Sequence, residues 1–146
     1  MLSNSFIHIP SIGQKTEKKI WGNGIRTNEE FINSSTKIIP PRTREKIINH
    51  INISVSNTED PHHYYDTLPS KEQWRIFKRF QNTTAYIDIE TTGLDSYRDK
   101  ITTIALYDGE NIKYYVNGEN LDEFKEDIFD YNVIVTYNGK TFDVPF

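Results

Sequence analysis

The 146-residue chain contains no cysteine, which excludes a disulfide framework, a thiolate zinc site and a cysteine nucleophile together. Any metal must bind through oxygen or imidazole. No stretch approaches 18 consecutive apolar residues, so no transmembrane helix is expected. The opening Met1-Leu2-Ser3-Asn4 lacks the basic start and apolar middle of an export signal. A soluble cytoplasmic protein without membrane partners is the expectation. Internal repeats and low-complexity tracts are missing too. Nine Tyr, eight Phe and two Trp in a chain that is 36% apolar supply a packed core, so outright disorder is ruled out.

Charge is divided unevenly. Residues 1–82 hold 12 Lys and Arg against 8 Asp and Glu, a balance of +4, whereas residues 83–146 hold 5 against 13, a balance of −8. A basic first part and an acidic second part fit a module that attracts polyanions beside one that gathers cations; two ordinarily solvated surfaces would read the same way.

The first part reads as helical. Residues 1–35 carry a turn at Ile9-Pro10-Ser11-Ile12-Gly13, a lysine-rich helix stopped by Gly22 and Gly24, and a capping box at Thr27-Asn28-Glu29-Glu30. Residues 36–82 form a helical linker region, with a helix expected over Arg42–Ile51. A turn follows at residues 57–61. Ser70-Lys71-Glu72-Gln73 reads as a second capping box, ahead of Trp74, Phe77 and Phe80 at helical spacing. Those three rings could stack bases, but their spacing predicts core. His62, His63 and Asp66 could be imagined as a metal cluster, but adjacent His in a polar loop have no shared ligand geometry and read as surface residues.

After Asn82 the period changes. Thr84–Glu90, Ile101–Tyr107 and Asn111–Val116 are short β-branched and aromatic runs, the last two joined by an Asp108-Gly109 turn. Asn120 and Glu123 suggest a capping box for a helix with Leu121, Phe124 and Ile128 inward. Residues 132–137 form a fourth strand whose Val133-Ile134-Val135 predicts burial. In the Tyr114-Tyr115 pair one ring must face outward. The expected order over residues 83–146 is β-β-β-α-β.

Two constellations could do chemistry. Residues two apart in a strand share a face, roughly 6.6 Å apart, so Asp88 and Glu90 project together while Ile87 and Ile89 enter the core. Adjacent carboxylates attract hard divalent cations such as Mg²⁺ or Mn²⁺; a solvated strand face is the alternative. Thr91, Thr92 and Gly93 then turn the backbone. The second constellation, Tyr137-Asn138-Gly139-Lys140-Thr141-Phe142-Asp143, leaves the sheet at a turn. If the fourth strand lies parallel to the first, Asp143 joins the other two carboxylates; otherwise it caps a helix ahead of Pro145.

Asp88-x-Glu90-Thr91-Thr92-Gly93-Leu94, with Asn138-Gly139-x-x-Phe142-Asp143 about fifty residues later, resembles the first two motifs of the DEDD 3'-5' exonucleases of the DnaQ-like, ribonuclease H-like superfamily. Within it the chain is most similar to the YprB-type ribonuclease H-like proteins. The resemblance implies an α/β ribonuclease H-like mixed sheet over residues 83–146, behind a small helical region. It implies a two-metal phosphodiesterase for single-stranded DNA or RNA ends. Asp88 would bridge two Mg²⁺ or Mn²⁺ ions, Glu90 would hold the one that activates water, and Asp143 would serve the second. Thr91, Gly93 and Leu94 would touch the terminal nucleotide, and Asn138 with Phe142 would shape the strand's path.

The family also has a third motif, a His or Tyr about four residues before a final Asp, on a later helix. Phe146 comes before that helix and before a fifth strand. An incomplete or degenerate exonuclease domain is therefore expected, with three of four carboxylates and no general base. The alternative function is an inactive nucleic-acid-binding fragment; an endonuclease is a third option. The Ile9–Gly13 turn resembles one helix-hairpin-helix unit, which implies phosphate binding at Ile12, Gly13 and Lys15.

Overall fold

A computed structural model describes residues 2–137 and 139–145. The chain divides into two compact units, Met1–Arg79 and Phe80–Phe146.

The first unit is helical: α1 (Gln14–Gly22), α2 (Asn28–Asn33), α3 (Pro41–Ser56), α4 (Pro61–Thr67), a 3-10 helix over Ser70–Ile76, and the start of the short α5 (Phe77–Phe80). The Ile9–Gly13 turn is closed by Ile12 N donating to Ile9 O at 3.0 Å, with Ser11 taking the positive φ of 71°. Thr27 and Glu30 form the expected capping box at α2. Phe6, Ile9, Ile12, Ile20 and Phe31 pack with Ile39, Ile47 and Ile51 into a single core, so residues on both sides of the expected 35/36 boundary share it.

Three expectations for this unit are overturned. Asp60 caps a helix, accepting from His62 N at 2.9 Å, so His62 and His63 lie on α4 and not in a loop; Pro61 at its first position favours that start. Glu72 does not cap: its carboxylate turns inward and accepts from Gln14 Nε2 (2.6 Å) and Arg75 Nε (2.8 Å). Trp74 is not core but 61% exposed, while Glu72, Arg75 and Ile76 are buried. The reason is pitch. In a 3-10 helix residues three apart eclipse, so the inward row falls on Glu72 and Arg75.

Arg75 reaches a buried acceptor, Glu17 of α1. Its two terminal nitrogens donate to both Glu17 oxygens at 2.9 Å, and Glu17 Oε1 also accepts from the Phe6 and Ile7 amides and from Ser5 Oγ. One carboxylate thus fastens the N-terminal turns, α1 and the 70–76 helix together.

The second unit carries β1 (Thr84–Thr91), β2 (Ile101–Tyr107), β3 (Ile112–Val116), the short α6 (Phe124–Asp127) flanked by 3-10 turns, and β4 (Val133–Val135). The sheet order is β3-β2-β1-β4; β1 is antiparallel to β2 and parallel to β4. This is the expected β-β-β-α-β order. Ala85, Ile89, Ile104, Leu106 and Tyr115 line one face, packed against Leu121, Phe124 and Ile128. Tyr115 donates to Asp127 at 2.6 Å and Lys113 pairs with it at 2.9 Å, which pins α6 to β3. Tyr114, the other ring of its pair, is 60% exposed. The expected box at Asn120 does not form, because its side chain bonds back to Val116 N and Tyr114 O of β3. Nor is β4 fully buried: Ile134 is 47% exposed, since β4 sits at the end of the described sheet with only β1 beside it.

Removing one member of a buried ion pair strands the other. Glu17→Ala is expected to cost about 3–5 kcal/mol, read as a lower urea midpoint. A pH effect also follows from His8, only 3% exposed and with neither ring nitrogen bonded among the described residues. Burial, then the charges of His63, His50 and Arg75, lower its pKa to about 4. The folded form therefore binds fewer protons than the unfolded. Stability is complete above the ordinary histidine value and declines as pH falls from 6.5 towards about 4, by about 3 kcal/mol at about 1.4 kcal/mol per tenfold change in proton affinity. Thermal melts from pH 7 to 4 should show that loss, and His8→Phe should reduce it.

Candidate active site

Strand β1 builds the site because its alternation serves two faces. Ala85 and Ile89 are buried, while Asp88 and Glu90 are exposed, opposite Ala105 and Thr103 of β2. At the strand's end the register shifts between Glu90 and Thr91. Thr91 Oγ1 donates to Gly93 O, and Lys100 N donates to Thr92 Oγ1 at 3.0 Å.

The loop that follows is organised by Asp99. Its Oδ1 accepts from Thr92 Oγ1 at 3.2 Å and its Oδ2 from Asp95 N at 2.9 Å. A Cβ at Gly93 would stand 2.6 Å from Asp99 Cγ, so this glycine is required by close approach. The sequence reading missed Asp99; the signal was an aspartate six residues beyond a glycine that ends a strand. Leu94 is held out by this turn and is 86% exposed.

Asp143 comes from the far end of the unit. Because β4 runs parallel to β1, with Val135 beside Tyr86, its C-terminal end lies on the Asp88 side of the sheet. The chain leaves β4 through Gly139, where a Cβ would collide with the Thr136 side chain. It then turns back, with Val144 N donating to Gly139 O at 2.8 Å. Asp143 is 9% exposed and accepts a hydrogen bond from Thr136 Oγ1. Burial raises its pKa first, and the negative charge of Asp88 raises it further. Asp88 and Asp143 are thus electrostatically coupled. Phe142 packs against the sheet core, and Asn138 lies outside the described residues. Among the described residues no group of three or more His, Asp or Glu side chains is placed to hold a metal ion, so Glu90 shares the strand face with Asp88 without completing such a group. In the first unit Ile12 is buried, while Gly13 and Lys15 are exposed at the start of α1.

Residues 85–146 match the family model RNase_H_2, described as RNase_H superfamily. Over that stretch the second unit is similar to this superfamily, and its mixed four-stranded sheet is consistent with a ribonuclease H-like fold. No curated protein and no solved structure matches the chain. Domains of this superfamily act on nucleic acids and generally use divalent metal ions. The donor chemistry fits one such ion: a buried carboxylate and an exposed one, close enough to repel, are hard oxygen ligands of the kind Mg²⁺ takes in ones and twos along with water. No helix among the described residues is long and apolar enough to cross a membrane.

The electrostatic coupling has a direct readout. Asp143 should titrate above an ordinary aspartate when its side-chain carbonyl is followed by NMR. Asp88→Asn should bring that pKa part of the way down, because the larger cause, burial, stays in place.

Proposed function

We propose that the second unit is a metal-dependent 3'-5' exonuclease domain of the DEDD, YprB-like type, hydrolysing phosphodiester bonds at the ends of single-stranded DNA or RNA. The observation that supports this reading is the parallel β1–β4 pairing, which brings the Asp143 segment to the end of the sheet where β1 presents Asp88 and Glu90, within the stretch that matches the RNase_H superfamily. In it, Asp88 and Asp143 would hold one Mg²⁺ or Mn²⁺ ion, and Glu90 would join them if a second ion is taken up. Such ions, when bound, stabilise the attacking and leaving oxygens of an in-line displacement and make water a better nucleophile.

The protein's own groups then do the positioning. The Thr91–Leu94 turn, stiffened from behind by Asp99, offers exposed Leu94 to the terminal nucleotide. Phe142, with Asn138, guides the strand away from the sheet. In the first unit Gly13 and Lys15 would supply backbone amide and ammonium contacts to a phosphate, while Ile12, whose amide donates to Ile9 O, holds the turn.

A second reading, an inactive nucleic-acid-binding protein, is favoured by one observation: the described carboxylates do not gather into a three-membered ligand group. Incubation of the full chain with end-labelled single strands and Mn²⁺ separates the two. Stepwise shortening from the 3' end is expected, reduced at least about a hundredfold in Asp88→Ala. Binding that weakens with salt, without shortening, selects the second reading. Internal cleavage selects an endonuclease.

A further inference from the structure

The first unit carries a cavity of about 660 Å³ lined by Asn4, Trp21, Gly22, Arg26, Trp74 and Arg75, within the size range of small-ligand sites. We infer that this cavity is a stacking site for one base of a single-stranded nucleic acid, with the neighbouring phosphates held by Arg26, Lys18 and Lys71. The inference deepens the reading that this protein acts on nucleic acid and rests on it.

The site is built in layers. Arg75 lies 5.7 Å from the Trp21 ring centroid and 5.6 Å from that of Trp74, a cation–π contact on each side. Its charge is already matched by Glu17 and Glu72. It therefore fixes the two indoles without serving as an anion ligand. Trp21 is fixed further by its Nε1 donating to Asn4 O at 3.1 Å. Trp74 keeps most of its surface in water although neighbouring residues of its helix are buried. A rigid indole face beside a cavity suits a planar ring, since stacking tolerates any base.

Charge selects the class of planar ligand. Arg26 lines the cavity and is exposed. Lys18 stands three residues before Trp21 on α1, and Lys71 three before Trp74 on the 3-10 helix, so each ring has an exposed cation one turn away. With the +4 balance of the first 79 residues, this matches a polyanion that carries bases. A neutral aromatic would use only the rings, and a cationic ligand would meet Arg26.

The chain's only two tryptophans, Trp21 and Trp74, both line this cavity, so tryptophan fluorescence, excited beyond the absorption of the nine tyrosines, reports on it alone. The full chain is titrated with unlabelled dT12 in EDTA, where metal-dependent cleavage is off, so failure here is distinct from failure of the nuclease reading. Saturable quenching is expected, with log affinity falling against log salt at a slope of about −2, from three cations at about 0.7 each. By anisotropy of fluorescein-labelled dT12, Trp74→Leu should weaken binding about tenfold and Trp74→Phe should restore most of it. Because Trp74 is mostly exposed, these variants leave the core intact, which a melt checks. Binding without quenching, equal affinity in Trp74→Leu, or no binding would each overturn the assignment.

Discussion

The second unit depends on one constraint: successive side chains of a strand point to opposite faces. In β1 this lets a single eight-residue segment hold the core with Ala85 and Ile89 and present Asp88 and Glu90 outward. A one-residue slip would bury both carboxylates and expose both apolar residues. The register with β2 resists that slip, because Ile89 meets Ile104 on the buried face while Asp88 meets Ala105 on the other. The core and the acidic face are therefore specified together. The parallel neighbour β4 adds the remaining requirement, a distant segment delivered to the same side as Asp88.

In the first unit the corresponding constraint is an electrostatic one. Burying Glu17 is tolerable only because its two oxygens receive a fork of guanidinium donors, two backbone amides and a hydroxyl. The same guanidinium lies against two indoles. A planar, delocalised, weakly hydrated cation can satisfy a carboxylate along its edge and aromatic rings across its faces, which a lysine cannot. The buried ion pair and the wall of the cavity thus share one residue.

How much of this was legible in the sequence follows from the range of each interaction. The strands, the Asp108-Gly109 turn and the Thr27–Glu30 box were readable because they are made within a few residues: Glu110 and Asn111 both donate to Asp108 itself. The Asp88-x-Glu90 face was readable because strand alternation is local. Glu72 and Asn120 misled because their residue types match a capping box, while Glu72 takes a distant partner, Gln14, set by tertiary structure, and Asn120 bonds backwards to Val116 and Tyr114 of the strand it follows. Trp74 misled for a different reason, since a 3.6-residue period was applied to a segment that winds at three. Asp99 was missed because it lies beyond the motif and braces it from outside, through Thr92 Oγ1 and the close approach at Gly93.

The acidic balance of the second unit poses a physical problem for any nucleic-acid role. A domain with eight excess negative charges repels a polyphosphate strand, and the conflict has a local counterpart at Asp143, whose pKa is raised first by burial and then by the charge of Asp88. Hard dications resolve the local conflict, since they neutralise the carboxylates and attract phosphate oxygens at the same place. They do little at longer range, where screening over about a Debye length leaves only the net field. A covalently attached unit with a balance of +4 and the proposed stacking site would supply what the acidic unit lacks, an affinity for the strand that does not depend on the metal. The uneven charge along the chain is then a division of labour: cations at the chemistry, lysines and arginines at the grip.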